Sequence, residues 1–296
     1  MKDLITLTFL ILPFTIFCQE PFENGLLDRL SGLKVEEQSY FNLGEYSIFT
    51  EKVNREFTSK SIKKLKKKYK VKKVKEESSS SNISQNNKII TKIIPLESAN
   101  RKITTLYLIE SEESKIDVIE FYSINYRDTS EEQNFINLYL QDKIPKSIFM
   151  EYPVSKVDFA GRKLKLNNSC NWMNVNSLQC PHFGQMNWSL HQNLENAKKK
   201  TRVQYEITKG KSDAKLISEE DVTIIFEGKE TIAKRTKYKA KIPKFLMGGS
   251  NELVIYYVSE EIRGRFVSCV LSHYTDDKIT ENGVPALLAK VMELKK

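Results

Sequence analysis

Reactive side chains are scarce in this chain: its 296 residues include 3 histidines, 4 cysteines and 2 tryptophans. Zinc sites set their ligands by tight turns, as pairs two to four residues apart. Cys170 and Cys180 are too far apart for that, and only Pro181 separates Cys180 from His182. The spacing matches no zinc knuckle or ribbon. No Gly-x-Ser-x-Gly elbow is present, so a serine triad has no local support. Gly248-Gly249-Ser250 lacks the flanking glycine and lysine of a phosphate loop and leads into no helix, so it reads as a turn. No cofactor and no metal are expected.

Long apolar runs are also missing, with one exception at the start. Residues 4–17 are almost wholly apolar and lie between Met1-Lys2-Asp3 and Cys18-Gln19-Glu20. A permanent membrane span needs about 20 apolar residues, so this run reads as a bacterial signal peptide over residues 1–19. Cys18 raises lipidation as a lesser alternative, because Phe17 stands where a small residue normally precedes a lipidated cysteine. The expected address is the periplasm, the cell envelope or the medium. Exported chains meet oxidising conditions. Cys170 and Cys180 are therefore expected to pair, leaving Cys269 as a buried thiol on a strand face with Val267 and Leu271.

What is present is 40% hydrophobic and 29% charged, the balance of a globular chain. The formal charge of +9 is local: residues 60–75 hold ten lysines and no acid, and without them the chain stands at −1. In that segment Ile62, Leu65 and Tyr69 recur at helical spacing with lysines on the other faces. Such a helix attracts an anionic membrane surface or an acidic polysaccharide through Lys63, Lys64, Lys66, Lys67 and Lys68. Its apolar stripe would then enter lipid, or else pack on the protein's own sheet with the lysines solvated. Nucleic acid is the least expected partner, since basic and aromatic residues do not interleave elsewhere.

Helices are expected over residues 59–69, 130–142 (opened by a Thr129/Glu132 capping box), 194–200 and 284–294. Strands are expected over residues 88–94, 103–110, 116–125 and 203–208. Two hairpins pair residues 222–226 with 231–240 and residues 253–259 with 265–274. SSSSNISQNN over residues 78–87 reads as a flexible loop. The fold class is α+β, antiparallel sheets covered by helices. It divides at about residue 150 into domains 20–150 and 151–296, two similar layered halves. The second half resembles the PsbP/Mog1-type α/β sandwich in its element order, in the hairpin LVIYYVSEEIRGRFVSCVLSHY and in the closing helix PALLAKVMELKK. That group includes binding and assembly modules without catalysis, so the resemblance leans away from an enzyme and assigns no site residues.

Both tryptophans, two cysteines and two histidines fall within residues 167–192. Met186, Trp188 and Leu190 alternate as on a half-buried strand. Trp172 and Trp188 either line a ligand or partner surface or plug the core beneath a long loop, and the neighbouring Met173, Phe183 and Met186 favour the plug. Trp172, His182, Trp188 and His191 are the candidate binding face for an unknown protein or small ligand. A cysteine nucleophile would need Cys180 beside a histidine base, which ranks below both binding roles. Acidic clusters at residues 112–113, 219–221, 260–261 and 276–277 read as solvated turns. The expected function is a non-catalytic, exported binding or scaffold protein. The alternative is polyanion or membrane-surface binding through residues 60–75, and a cysteine- or metal-dependent enzyme ranks third.

Overall fold

The computed structural model describes residues 25–71, 74, 77–96, 99–166, 169–241 and 249–295. The expected signal peptide, Cys18 and Gly248 lie outside the described residues. Among the described residues antiparallel sheet dominates, with four α-helices.

The first half runs α1 (Leu26–Arg29), β1 (Leu30–Val35), β2 (Gln38–Leu43), β3 (Tyr46–Val53), α2 (Ser59–Lys68), β4 (Glu77–Ser78), β5 (Asn87–Pro95), β6 (Arg101–Ser111), β7 (Lys115–Ile124) and α3 (Thr129–Leu140). Its sheet has the order β1-β2-β3-β7-β6-β5-β4. The second half opens with the separate hairpin β8 (Lys156–Phe159) and β9 (Arg162–Lys165). It continues through β10 (Asn171–Asn174), β11 (Ser177–Cys180), β12 (Gly184–His191), α4 (Leu194–Lys209), β13 (Ala214–Phe226), β14 (Lys229–Ala240), β15 (Glu252–Ile262), β16 (Arg265–Tyr274) and β17 (Met292–Leu294). Its sheet has the order β10-β11-β12-β16-β15-β14-β13-β17. Both sheets thus follow one path. A three-strand meander leads to a helix, and a four-strand meander returns to pair its last strand with the third.

Each sheet buries side chains on both faces, because alternate residues of a strand point to opposite sides. In the first, Phe41, Tyr107, Phe121 and Ile119 meet Phe135 and Ile136 of α3. On the other face Ile90, Leu106 and Val118 meet Leu65 of α2. In the second, Tyr238, Ile255 and Tyr257 lie under Tyr205 of α4. The opposite face packs Trp188, Phe226 and Leu271 against Val157 and Phe159 of the β8–β9 hairpin and against residues 284–292.

Four expectations are corrected. Residues 284–294 form no helix. A 3-10 turn, Leu288–Lys290, leads into β17, whose residues pair with Ile224, Ile225 and Phe226 at the edge of β13. Val284, Leu287, Leu288, Val291 and Met292 are all buried, and the open sheet edge supplies backbone partners that a helix would not use. One of the three features behind the PsbP/Mog1 resemblance, the closing helix, is therefore absent. Second, α4 extends to Lys209 and absorbs the strand expected at 203–208. Its buried stripe is Ala197, Thr201 and Tyr205, one residue per turn. Third, α3 is capped by Asp128, whose carboxylate accepts from the Ser130 and Glu131 amides at 2.9 and 3.1 Å. The side chain of Glu132 turns inward instead of closing a capping box. Fourth, residues 219–221 and 260–261 are not turns. Residues 219–221 lie inside β13, where Glu220 pairs with Arg235 and Asp221 with Lys234, both at 3.0 Å across the hairpin, and residues 260–261 lie inside β15, opposite Val267 and Phe266. The loop after β4 is also tied down. Ile83 is buried, and the Asn87 amide donates to the Ser80 and Gln85 carbonyls at 3.0 Å each.

Candidate functional site

The stretch between Asn171 and His191 folds as a three-strand meander. Cys170 and Cys180 form a disulfide with the Cα atoms 4.1 Å apart. They flank the β10–β11 hairpin, so the bridge staples its open end. At the hairpin tip Asn176 adopts φ 53°, a left-handed conformation that asparagine tolerates better than most residues.

This staple positions one wall of a cleft of about 440 Å³ between the halves. Trp188 forms its floor. It is 2% exposed and packs on Phe159 with ring centroids 5.6 Å apart. Trp172 is half-buried, its ring 6.3 Å from that of Trp188, and its indole nitrogen donates to the Glu151 carbonyl at 3.1 Å. Leu30, Ile148 and Phe149 supply the opposite wall. Asn176 is 1% exposed, and its amide donates to Ser31 Oγ at 3.2 Å. Its Oδ1 is buried and has no hydrogen-bond partner among the described residues. Buried acceptors are normally paired, and an unpaired one costs about 1–3 kcal/mol. Arg265, at the start of β16, also lines the cleft. A larger recess of about 630 Å³ beside Ser80 is walled by hydroxyls and amides over Tyr107 and Arg127 and offers little apolar surface.

The four candidate face residues do not share one surface. Trp172 and Trp188 meet in the cleft. His182 is exposed in the β11–β12 turn, where its carbonyl accepts from the Lys278 amide at 3.3 Å. His191 is 1% exposed and lies on the face of β12 opposite Trp188. Sequence reasoning missed Asn176, Arg265, Ser31 and Phe149. The asparagine-rich character of residues 167–192 pointed toward Asn176. Nothing in sequence marks Ser31 or Phe149, which reach the cleft only through tertiary folding.

His191 anchors a second polar cluster at the junction. Its Nε2 lies 2.8 Å from Ser268 Oγ, and its Nδ1 lies 3.0 Å from a Glu45 carboxylate oxygen without hydrogen-bond alignment. Lys200 Nζ donates to the Glu45 carbonyl at 3.1 Å. Gly44, at φ +52°, lets the β2–β3 turn approach, since a Cβ there would come 3.3 Å from the Leu190 carbonyl. The Ser–His–Glu order is that of a hydrolase triad, but the chemistry needs an open nucleophile. Ser268 is 2% exposed at mid-strand, paired with Ser189 and Ser259. Burial lowers the pKa of both His191 and Lys200. The cluster reads as a clamp between halves.

Cysteine chemistry is similarly closed. Cys180 is bridged and has no thiol to attack with. Cys269 is buried, and burial pushes its thiol well above the ordinary range, away from the thiolate that reacts. Among the described residues no three histidine, cysteine, aspartate or glutamate side chains converge to hold a metal ion.

The lysine helix packs its stripe on the protein itself. Leu65 is buried, and Ile62 and Tyr69 rest against the same cluster on the first sheet. The stripe is therefore not free to enter lipid. Lys66 pairs with Glu77 and Lys68 with Glu51. Burial pushes the Glu51 carboxyl up, but hydrogen bonds from Lys68 and Tyr69 outweigh it and leave the pKa lowered. Lys63, Lys64 and Lys67 are exposed and make no ion pair among the described residues. No helix among the described residues is long and apolar enough to cross a membrane.

No family model matches the chain, and no curated protein matches it. Among solved structures, the crystal structure of the di-domain ARO/CYC StfQ from the steffimycin biosynthetic pathway aligns at 7% identity over 84% of this chain and 76% of that one. Its TM-score is 0.17, a likeness too slight to carry fold or function across.

Proposed function

We propose that the protein is an exported, non-catalytic binding protein that holds a small ligand in the cleft between its halves. One observation carries this reading: an aromatic floor and wall, Trp188 and Trp172, line a cleft that also holds the polar side chains of Asn176 and Arg265. Binding clefts combine apolar surface with a few placed polar groups. The disulfide is compatible with an oxidising compartment, as expected behind a signal peptide. The repeated strand order supports reading the halves as duplicated layered units, and the PsbP/Mog1 resemblance belongs to the same proposal.

Both tryptophans of the chain line the cleft, so their fluorescence reports its occupancy. N-phenyl-1-naphthylamine, a neutral aromatic probe with one N–H donor, should quench that emission by energy transfer. Trp172→Phe should retain binding and Trp172→Ala should lose about tenfold, with unchanged circular dichroism. Failure of the probe to bind, or equal binding by Trp172→Ala, rejects the reading.

A second reading rests on Lys63, Lys64 and Lys67, which are exposed and make no ion pair among the described residues. These lysines would hold a polyanion or anionic membrane surface electrostatically, without insertion. Binding to anionic vesicles or heparin should fall steeply with salt and vanish when Lys63, Lys64, Lys66, Lys67 and Lys68 become glutamine. Salt-insensitive binding rejects it.

A further inference from the structure

We infer that the cleft selects a small organic anion: an apolar or aromatic body with one acidic group that pairs with Arg265. The inference rests on the cleft reading and adds the ligand's charge. Six charged side chains line the cleft, and their signs balance: Asp28, Glu151 and Asp158 against Lys156, Lys163 and Arg265. Their positions do not balance. Every one of them except Arg265 is exposed, at the rim. Glu151 and Lys156 pair with each other at 3.1 Å, and Asp158 accepts from the Gly161 amide at 2.7 Å. Rim charges act through solvent and are screened by salt.

Arg265 is half-buried and makes neither an ion pair nor a hydrogen bond among the described residues. Arginines placed this way are usually spent on a carboxylate. Neighbouring Arg263 shows the contrast: it pairs with Glu227 at 2.6 Å and also donates to the Ala160 and Phe159 carbonyls at 2.9 and 2.8 Å. The Arg265 side chain packs over Gly161, where a Cβ would stand 3.7 Å from the guanidinium carbon. Its planar fork matches a carboxylate bidentately. Arg265 therefore supplies the positive end of the cleft, and the tryptophans supply the body site.

The test compares two probes with the same aromatic body and N–H donor. 8-Anilinonaphthalene-1-sulfonate carries an anion, and N-phenyl-1-naphthylamine does not. The intact protein should bind the anionic probe about tenfold more tightly, the effect of one charge-assisted hydrogen bond. Arg265→Gln should erase that preference by weakening the anionic probe far more than the neutral one, Arg265→Lys should keep part of it, and Lys163→Gln at the rim should retain most of it. Equal affinities in the wild-type protein, which need no variant, overturn the inference while leaving the cleft reading intact. So does a preference that survives Arg265→Gln, or one abolished equally by Lys163→Gln. If neither probe responds to Trp172→Ala, the cleft reading fails and the inference falls with it.

Discussion

Strands β1–β3, helix α2 and strands β4–β7 of the first half correspond one for one to β10–β12, α4 and β13–β16 of the second. The two sheets nevertheless bury different chemistry. In the first, Tyr46 and Tyr107 donate to the buried Glu132 carboxylate at 3.1 and 2.7 Å, and Phe121 sits between Tyr107 and Phe135. In the second, the corresponding layer holds tryptophan, a disulfide and a buried thiol. Its outer cover is a hairpin and a 3-10 turn where the first half has α3. A single strand order tolerates either set because antiparallel pairing uses only backbone groups. The faces are then free to vary, and only the second half stabilises a hairpin that can wall a cleft.

The largest expected effect tests whether the halves are separate units. Phe121→Ala and Trp188→Ala should each cost about 3–5 kcal/mol. Because each half has its own buried clusters, calorimetry should show each change lowering one of two transitions. A single transition that shifts in both variants would break the comparison, and would show that the two sheets unfold as one unit.

Next in size is the disulfide, which closes a short loop and should contribute about 2.5–3 kcal/mol in the chain-entropy model. Cys170→Ser with Cys180→Ser should destabilise the second half alone. It should also weaken probe binding at Trp172, since the β10–β11 hairpin loses its staple. Loss of stability without loss of binding would show that the hairpin is set by packing and not by the bridge.

Individual buried groups in the two halves should also answer pH oppositely. Burial lowers the pKa of His191 and His273 in the second. The unfolded chain therefore takes up protons first as pH falls below about 6.5, and stability is lost there, by up to about 1.4 kcal/mol per pH unit for each proton. Burial raises the Glu132 carboxyl in the first half, despite hydrogen bonds from Tyr107 and Tyr46. There the native state holds its proton longer, and stability falls as pH rises above the ordinary carboxylate range. Melting curves of His191→Gln and Glu132→Gln against pH should each lose one of these slopes. Equal slopes in variant and wild type would assign the pH response elsewhere.

The smallest effect on stability is expected on α2. Glutamine at Lys63, Lys64 and Lys67 should leave melting almost unchanged, because these side chains are solvated, while removing salt-dependent polyanion binding. A large loss of stability would mean that these lysines have partners in the folded state.

Much of this architecture is legible before folding. Residues 88–94, 103–110 and 116–125 alternate or cluster β-branched and aromatic residues; the first two lie within β5 and β6, and the third matches β7 up to Ile124. The hairpin turns at Glu227-Gly228 and Arg263-Gly264, with φ of 52° and 83° and of 51° and 71°, follow from glycine at the second position. The misreadings have a common cause. In residues 203–208, Val203, Tyr205 and Ile207 alternate like a strand, and only the sheet under α4 selects the spacing of Ala197, Thr201 and Tyr205. In residues 284–294 a helical stripe is equally good on paper, and the unpaired edge of β13 decides for β17.

Sequence alone determined the Cys170–Cys180 pair, the alternation around Trp188 and the placement of charge on α2. These depend on local spacing, short-loop closure and side-chain periodicity. Tertiary structure decided that Trp172 meets Trp188 across a cleft, that Arg265 lines it without an ion pair among the described residues, and that His191 is sealed at the junction. Each of those outcomes depends on which distant backbone segment arrives to cover or expose the residue, and no local pattern encodes that.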